Sequence, residues 1–325
     1  MHRRRPLALL RSVAPVTSAL AVMLSSCGGA SPEATGPDRA TIVCTTAMIG
    51  DVASEVAGDT CDVVVLFGPD VDPHLFRPTR DDVATLMGAD VVLYNGFHLE
   101  GHLTETLERV ADAGVQVVAL AERIVEGDEV IDEGGAPDPH VWMDPSIWKR
   151  AAGVVTAVVV EHAGADTEAT AGRASALAAR LESFDRECEE RLAAIPRDRR
   201  VLLTAHDAFG YFGRRYDVTV EGIQGVSTAS EAGLRAIEDL VALVVERRLP
   251  AVFFESTVSE RNVKALVEGA RAAGHEVRIG GVLHADAPGD AVTYEAMLRH
   301  NLETIVAALA PSAEGAAADD AEVRK

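Results

Sequence analysis

The chain has 325 residues, 48% hydrophobic and 25% charged, with aromatics at 4%; this is enough for one large or two medium domains with mainly aliphatic cores, and it excludes a disordered chain. Its formal net charge is −21, and because the first 26 residues hold Arg3, Arg4, Arg5 and Arg11 and no acid, the remainder is more acidic still. Such a surface repels phosphate backbones, which excludes nucleic acid as an expected partner, and it draws small cations in.

Residues 1–27, "MHRRRPLALLRSVAPVTSALAVMLSSC", combine a basic start, an apolar stretch and small residues before Cys27, the pattern of an export signal. Leu24-Ser25-Ser26-Cys27 resembles the bacterial lipobox, whose cysteine is lipidated and becomes the mature N-terminus. The Gly/Ser/Pro/Ala-rich stretch 28–39 reads as a flexible tether. No later segment approaches the run of about 18 apolar residues that spans a bilayer. The folded part is therefore expected outside the cytoplasm, lipid-anchored to the cell membrane and facing outward. Cys44, Cys61 and Cys188 form an odd set without CxxC spacing, so neither a disulfide framework nor a zinc ribbon is expected. A Cys44–Cys61 bridge between neighbouring strands is conceivable, and buried free thiols are the plainer reading.

From Ala40 strands and helices alternate. "ATIVCTTAMI" (40–49) reads as a buried strand, 50–58 as a short helix, "CDVVVLFG" (61–68) as a strand and 80–89 as a helix. "DVVLYNG" (90–96) follows as a strand, 103–114 as a helix, "VQVVAL" (115–120) as a strand and 146–164 as a helix. Continuous Val/Ile/Leu runs bounded by Gly, Asp and Pro mark strands covered on both faces, hence a parallel sheet with crossover helices in a first lobe, 40–166.

Residues 167–194 contain no proline and no glycine after Gly172, and Leu177, Leu181, Phe184, Cys188 and Leu192 recur at spacings of three and four. That predicts one amphipathic helix of roughly 40 Å at about 1.5 Å per residue, within a linking segment 167–196 that Pro196 ends. A second series fills 197–311, with strands at 199–206, 217–225, 250–257 and 275–283 and helices at 207–216, 229–249, 259–274 and 293–310. The acidic, Ala-rich tail 312–325 is expected to fray. The fold class is α/β: two similar lobes, each a parallel β-sheet flanked by helices, joined by one long rigid helix.

Asp-Pro-His occurs twice, in "VDPHLFRPT" and "PDPHVWMDP", presenting His74 and His140 on stiff loops. Proline fixes its own φ and extends the residue before it, so each tripeptide aims an imidazole with little freedom to lose. His206 ends a strand, and Asp286 follows the last strand in "HADAPGD". In open α/β sheets ligands gather beyond the carboxyl ends of strands, and three imidazoles with a carboxylate suit zinc, and also manganese or iron. From the residues alone, an ordinary surface role stays open for each histidine. The rival is "GFHLEGH", with His98 and His102 at i and i+4, where Leu99 occupies the place of the glutamate in HExxH. His162, His275 and His300 read as solvated or structural, and His284 lies close enough to Asp286 to reach a cleft. Asp144 and Glu255 are candidates for orienting imidazoles from behind, with a helix cap or a core-edge ion pair as the alternative for each.

"TTAMIGDVASEVAGD", "GPDVDPHLFRPT", "DVVLYNGFHLEG", "PDPHVWMDP", "TAHDAFGYFGRRY", "EGIQGVSTASEAG", "FFEST" and the final "HAD…TYEAMLRHNL" stand in order over about residues 40–310. On these the chain resembles the TroA-like zinc- and manganese-binding solute receptors of bacterial ABC importers. The resemblance implies two lobes on a rigid helix, His74, His140, His206 and Asp286 as metal ligands, and delivery of the metal to a membrane permease by a monomeric receptor that is not an enzyme. His206, where the family varies between His and Glu, tilts the metal toward zinc, with manganese next. The acidic stretch "EGDEVIDEGGAPD" stands where many zinc-dedicated members carry a histidine-rich loop. The competing classes are a secreted metal-dependent hydrolase and a surface adhesin. Metal affinity is expected to fall below about pH 6.5, the ordinary histidine pKa.

Overall fold

The computed structural model describes residues 39–310 apart from Glu133 and Gly164. The expected export signal with Cys27, almost all of the expected tether and the expected acidic tail lie outside the described residues.

Strands β1 (Ala40–Cys44), β2 (Cys61–Val65), β3 (Val91–Tyr94) and β4 (Gln116–Ala119) form one parallel sheet in the order β2-β1-β3-β4. Helices α1 (Ala47–Ala57), α2 (Arg80–Met87) and α3 (Thr104–Asp112) make the crossovers. The first strand is shorter than the sequence suggests, because the chain bends after Cys44 and Thr46, its own backbone still extended, accepts a hydrogen bond from Ile49 N and caps α1. Met48, Ile49, Val52, Ala53 and Val56 then bury one helical face. An apolar run covered on both sides reads alike as strand or helix, and only the cap separates them.

After the short helix α4 (Ala121–Ile124), the expected helix over 146–164 is broken into α5 (Pro145–Trp148) and α6 (Ala151–Ala163). At the break Arg150 turns back to the Ile124 carbonyl and pairs with both oxygens of Glu129, at 2.6 and 2.8 Å. Helix α7 (Thr167–Ala193) is 27 residues long, capped by Asp166, and its buried stripe includes Leu177, Leu181, Phe184, Cys188 and Leu192. The periodicity in the sequence is the periodicity of burial.

The second lobe pairs β5 (Val201–His206) with β6 (Thr219–Gln224), and β7 (Ala251–Glu255) with β8 (Arg278–Leu283), as two parallel ladders. Around them lie α8 (Gly210–Tyr216), α9 (Leu234–Glu246), α10 (Arg261–Ala272) and α11 (Tyr294–Leu309). Helix α9 starts five residues later than the composition suggests, since residues 229–233 remain in the loop that Thr228 ties to Asp72 of the first lobe.

The lobes share one continuous apolar core, in which Ile42, Trp142, Phe184, Phe209, Leu283 and Tyr294 all take part. Polar bonds stitch the same seam: Trp142 Nε1 donates to the Ala285 carbonyl at 2.9 Å, and Tyr294 O–H donates to the Trp142 carbonyl at 2.5 Å. Among the described residues no helix is long and apolar enough to cross a membrane. Cys44, Cys61 and Cys188 are free and buried. Cys44 pairs in register with Val65 while Cys61 pairs with Ala40, so the two thiols sit about 13 Å apart along the strands, beyond disulfide reach.

A shared core predicts one cooperative unfolding event. Phe184→Ala should cost about 3–5 kcal/mol while keeping a single denaturant transition by tryptophan fluorescence and far-UV circular dichroism; two separate transitions would show that the lobes do not depend on one core.

Candidate metal centre

Three of the four buried side chains arrive from a strand's carboxyl end or the loop beyond it, and the fourth from the segment between α4 and α5. His74 follows β2, His140 lies in the loop before α5, His206 is the last residue of β5, and Asp286 follows β8. Each offers one donor atom, and these atoms all lie within 4.8 Å of one another. His140 Nε2 is 3.3 Å from both His74 Nε2 and Asp286 Oδ1, and His206 Nε2 is 3.2 Å from Asp286 Oδ2. Asp286 is 2% exposed and the three histidines 0–6%. His206 Nε2 and both Asp286 oxygens are nevertheless without an aligned hydrogen bond. Buried polar atoms are rarely left so, and a cation at their common point satisfies all of them.

The two Asp-Pro-His loops share one device. Asp72 Oδ1 accepts from His74 N at 2.8 Å, and Asp138 Oδ1 accepts from His140 N at 2.9 Å. In each the aspartate bonds the backbone two residues on, an Asx turn that sets the histidine's direction. Asp138 Oδ1 also holds His140 Nδ1, at 2.7 Å. In the second lobe Glu255 does both tasks for His206, accepting from its backbone N at 2.8 Å and engaging Nδ1 through its other oxygen. With Nδ1 committed, each Nε2 is turned to the centre, which fixes the ring for a metal.

The charges follow from burial and pairing. Burial, opposed by Asp286 and aided by the neighbouring His140 and His206, pushes His74 down to about 4. It acts on His140 too, but Asp138 and Asp286 outweigh it and raise that imidazole to about 9. Burial likewise opposes charge on His206, and Glu255 and Asp286 hold it well above the usual histidine range. Asp286, which burial would neutralise, is held well below the usual carboxylate range by His206, His140 and His74.

Residues 42–308 match the family described as "ZnuA: Zinc-uptake complex component A periplasmic". The chain belongs to the ZnuA family. It is 40% identical over 291 residues to the manganese-binding lipoprotein MntA of Bacillus subtilis (strain 168), covering 88% of this chain and 95% of that protein. It is also 40% identical over 284 residues to the zinc-binding protein TroA of Treponema pallidum (strain Nichols), covering 86% and 92%. The solved structure of TroA matches with a TM-score of 0.81 over 84% of this chain and 99% of that one.

In this ZnuA-family chain the other candidates resolve differently. Asp144 does not touch the centre; its Oδ1 accepts from Ser146 N at 2.8 Å and caps α5. Glu255 does orient an imidazole, as its strand-end position suggests. Asp138 and Asp72 were missed as supports, although each stands two residues before its histidine, the spacing of an Asx turn. Asn95 and Glu100 were missed as well. Asn95 Nδ2 donates to the Pro139 carbonyl beside His140 at 2.9 Å, and Glu100 anchors Asn95 through its backbone N at 2.8 Å.

The His98/His102 pair does not form a helix face. Phe97 and His98 have φ of 48° and 63°, and α3 begins only at Thr104. His98 is exposed, and His102 faces Arg77 at 3.4 Å. His284 stays outside the cluster, between Ser256, Asp290 and the His300 ring.

Glu255→Gln should weaken metal binding about 10–100-fold, whereas Asp144→Asn should leave it within about twofold and cost only helix-cap stability; equal effects would remove the distinction. The pH window also moves. A metal must displace the protons that His140 and His206 hold at Nε2, so affinity rises through neutrality and levels off only above about 9. For the metal-free protein the sign is opposite: a raised His140 contributes stability fully present below about 6.5, the unfolded value, and lost as pH rises through about 9. Calorimetric titration at pH 7 in buffers of differing ionisation enthalpy should register proton release on metal binding, and none would contradict the assignment.

Proposed function

We propose that this chain captures a divalent transition metal at His74, His140, His206 and Asp286 and delivers it to the membrane permease of an ABC importer. The observation that carries this reading is the buried convergence of three imidazole nitrogens and a carboxylate whose oxygens lack aligned partners. Each lobe supplies two of the four groups, so the coordination shell is complete only while both lobes hold their ligands at the common point. The carboxylates nearest the cluster, Asp138 and Glu255, are engaged with imidazole Nδ1 atoms, so neither is free as the base a hydrolase needs.

Three imidazoles favour zinc, and manganese is the second candidate, supported by two 40% identical relatives named for one metal each. Lipidation at Cys27, with 28–39 as the tether, would hold a monomeric receptor at the outer face of the cell membrane beside its permease. Because the lobes share a core, hand-over proceeds by local displacement of ligand loops rather than wide opening.

Titration with zinc and manganese should give one tight site per chain and no turnover of esters, peptides or phosphates. Alanine at any of His74, His140, His206 or Asp286 should weaken it by more than about 100-fold, against little change for His98→Ala. Metal at about 1,000 times its Kd should stabilise the fold by about 4 kcal/mol. A metal-free protein indifferent to both ions in melting temperature would refute the reading.

A further inference from the structure

Gln224 ends β6 and is only 7% exposed, yet its Oε1 is buried without a hydrogen-bond partner. Its amide nitrogen donates to the Ser230 carbonyl at 3.3 Å. That contact settles which end of the amide lies where, since the flipped form would set two carbonyl oxygens against each other. Gln224 is also the ladder partner of His206. Partnered residues of a parallel ladder leave the sheet on the same face, on strands about 4.8 Å apart. Gln224 therefore leaves the sheet on the same face as His206, whose Nε2 is itself buried without an aligned hydrogen bond. The loop after Gln224 crosses to the first lobe, where Thr228 Oγ1 donates to Asp72 Oδ2 at 2.7 Å, and covers this corner of the cleft.

An orphan acceptor in such a place implies a donor supplied with the cargo. We infer that Gln224 Oε1 accepts a hydrogen bond from a water molecule carried on the captured ion, so that the site expands beyond its four protein donors and holds manganese as well as zinc. Zinc is satisfied by four donors in a tetrahedron, whereas manganese favours oxygen donors and higher coordination numbers. Water on a divalent cation is a strengthened donor. A neutral carboxamide oxygen accepts from it without removing its proton, which keeps it a ligand water and not a nucleophile. Gln224 is thus a specificity residue acting through that water. The inference rests on the metal-receptor reading above.

The test is Gln224→Met, which preserves length and burial and deletes the acceptor. Competition titrations should show manganese affinity falling about tenfold and zinc affinity changing by less than about twofold. Pulsed electron paramagnetic resonance of bound manganese in deuterated water should find exchangeable water on the ion in the unsubstituted protein and less of it in the variant. Equal losses for both metals, or no water on manganese in the unsubstituted protein, would overturn the assignment. The water count needs no variant, so a poorly folding substitution does not shield it. If the unsubstituted protein binds both ions and Gln224→Met changes neither, the receptor reading stands and this inference alone falls; if it binds neither ion, both fall together.

Discussion

A carboxylate buried among three imidazoles is the interaction on which the rest of the structure depends. Taking Asp286 out of water carries a large penalty unless opposite charge stands next to it. In the metal-free protein that charge is protonic, because His140 and His206 are held above the ordinary histidine range by the carboxylates around them. A divalent cation supplies the same compensation from one point and reaches His74 as well. Proton and metal compete for the same nitrogens, so the fold is organised around a position that needs positive charge in either state.

The supports behind the ligands follow from that need. Two imidazoles are gripped at Nδ1 by carboxylates, Asp138 and Glu255, which also accept from the histidine's own backbone N–H. His74 is held differently. Asp72 fixes its backbone and spends its second oxygen on Thr228 of the opposite lobe. Its imidazole is kept neutral by burial, at about 4, and offers a lone pair to metal without first losing a proton. The three nitrogens are therefore unequal donors, although two of them stand on the same tripeptide.

The seam between the lobes is as important as the cleft above it. Trp142 follows His140 by two residues and bonds the Ala285 carbonyl, one residue before Asp286. Ligands from opposite lobes are thereby tied through a single indole. With Phe184, Phe209 and Tyr294 in the same apolar body, a wide hinge would expose core surface, at about 25 cal/mol for each Å² of apolar area. The arrangement favours a pre-formed site over one assembled by large motion.

The sequence by itself determined the alternation of strands and helices, the length and buried stripe of α7, the positions of His74, His206 and Asp286 at or just beyond strand ends and the stiffness of both Asp-Pro-His loops, because each is a local property of periodicity or backbone restriction. It misplaced the end of β1, the break before α6 and the start of α9, where a cap, Arg150's return to Glu129 and Thr228's bond to Asp72 override local pattern. Only the tertiary structure decided that His74 and Asp286, more than two hundred residues apart, meet at one point, that Asp138 and Glu255 grip the imidazoles while Asp144 caps a helix, and that His98 and His102 face away. Those outcomes depend on how two sheets pack across a common core, and packing at that range leaves no periodic trace along the chain.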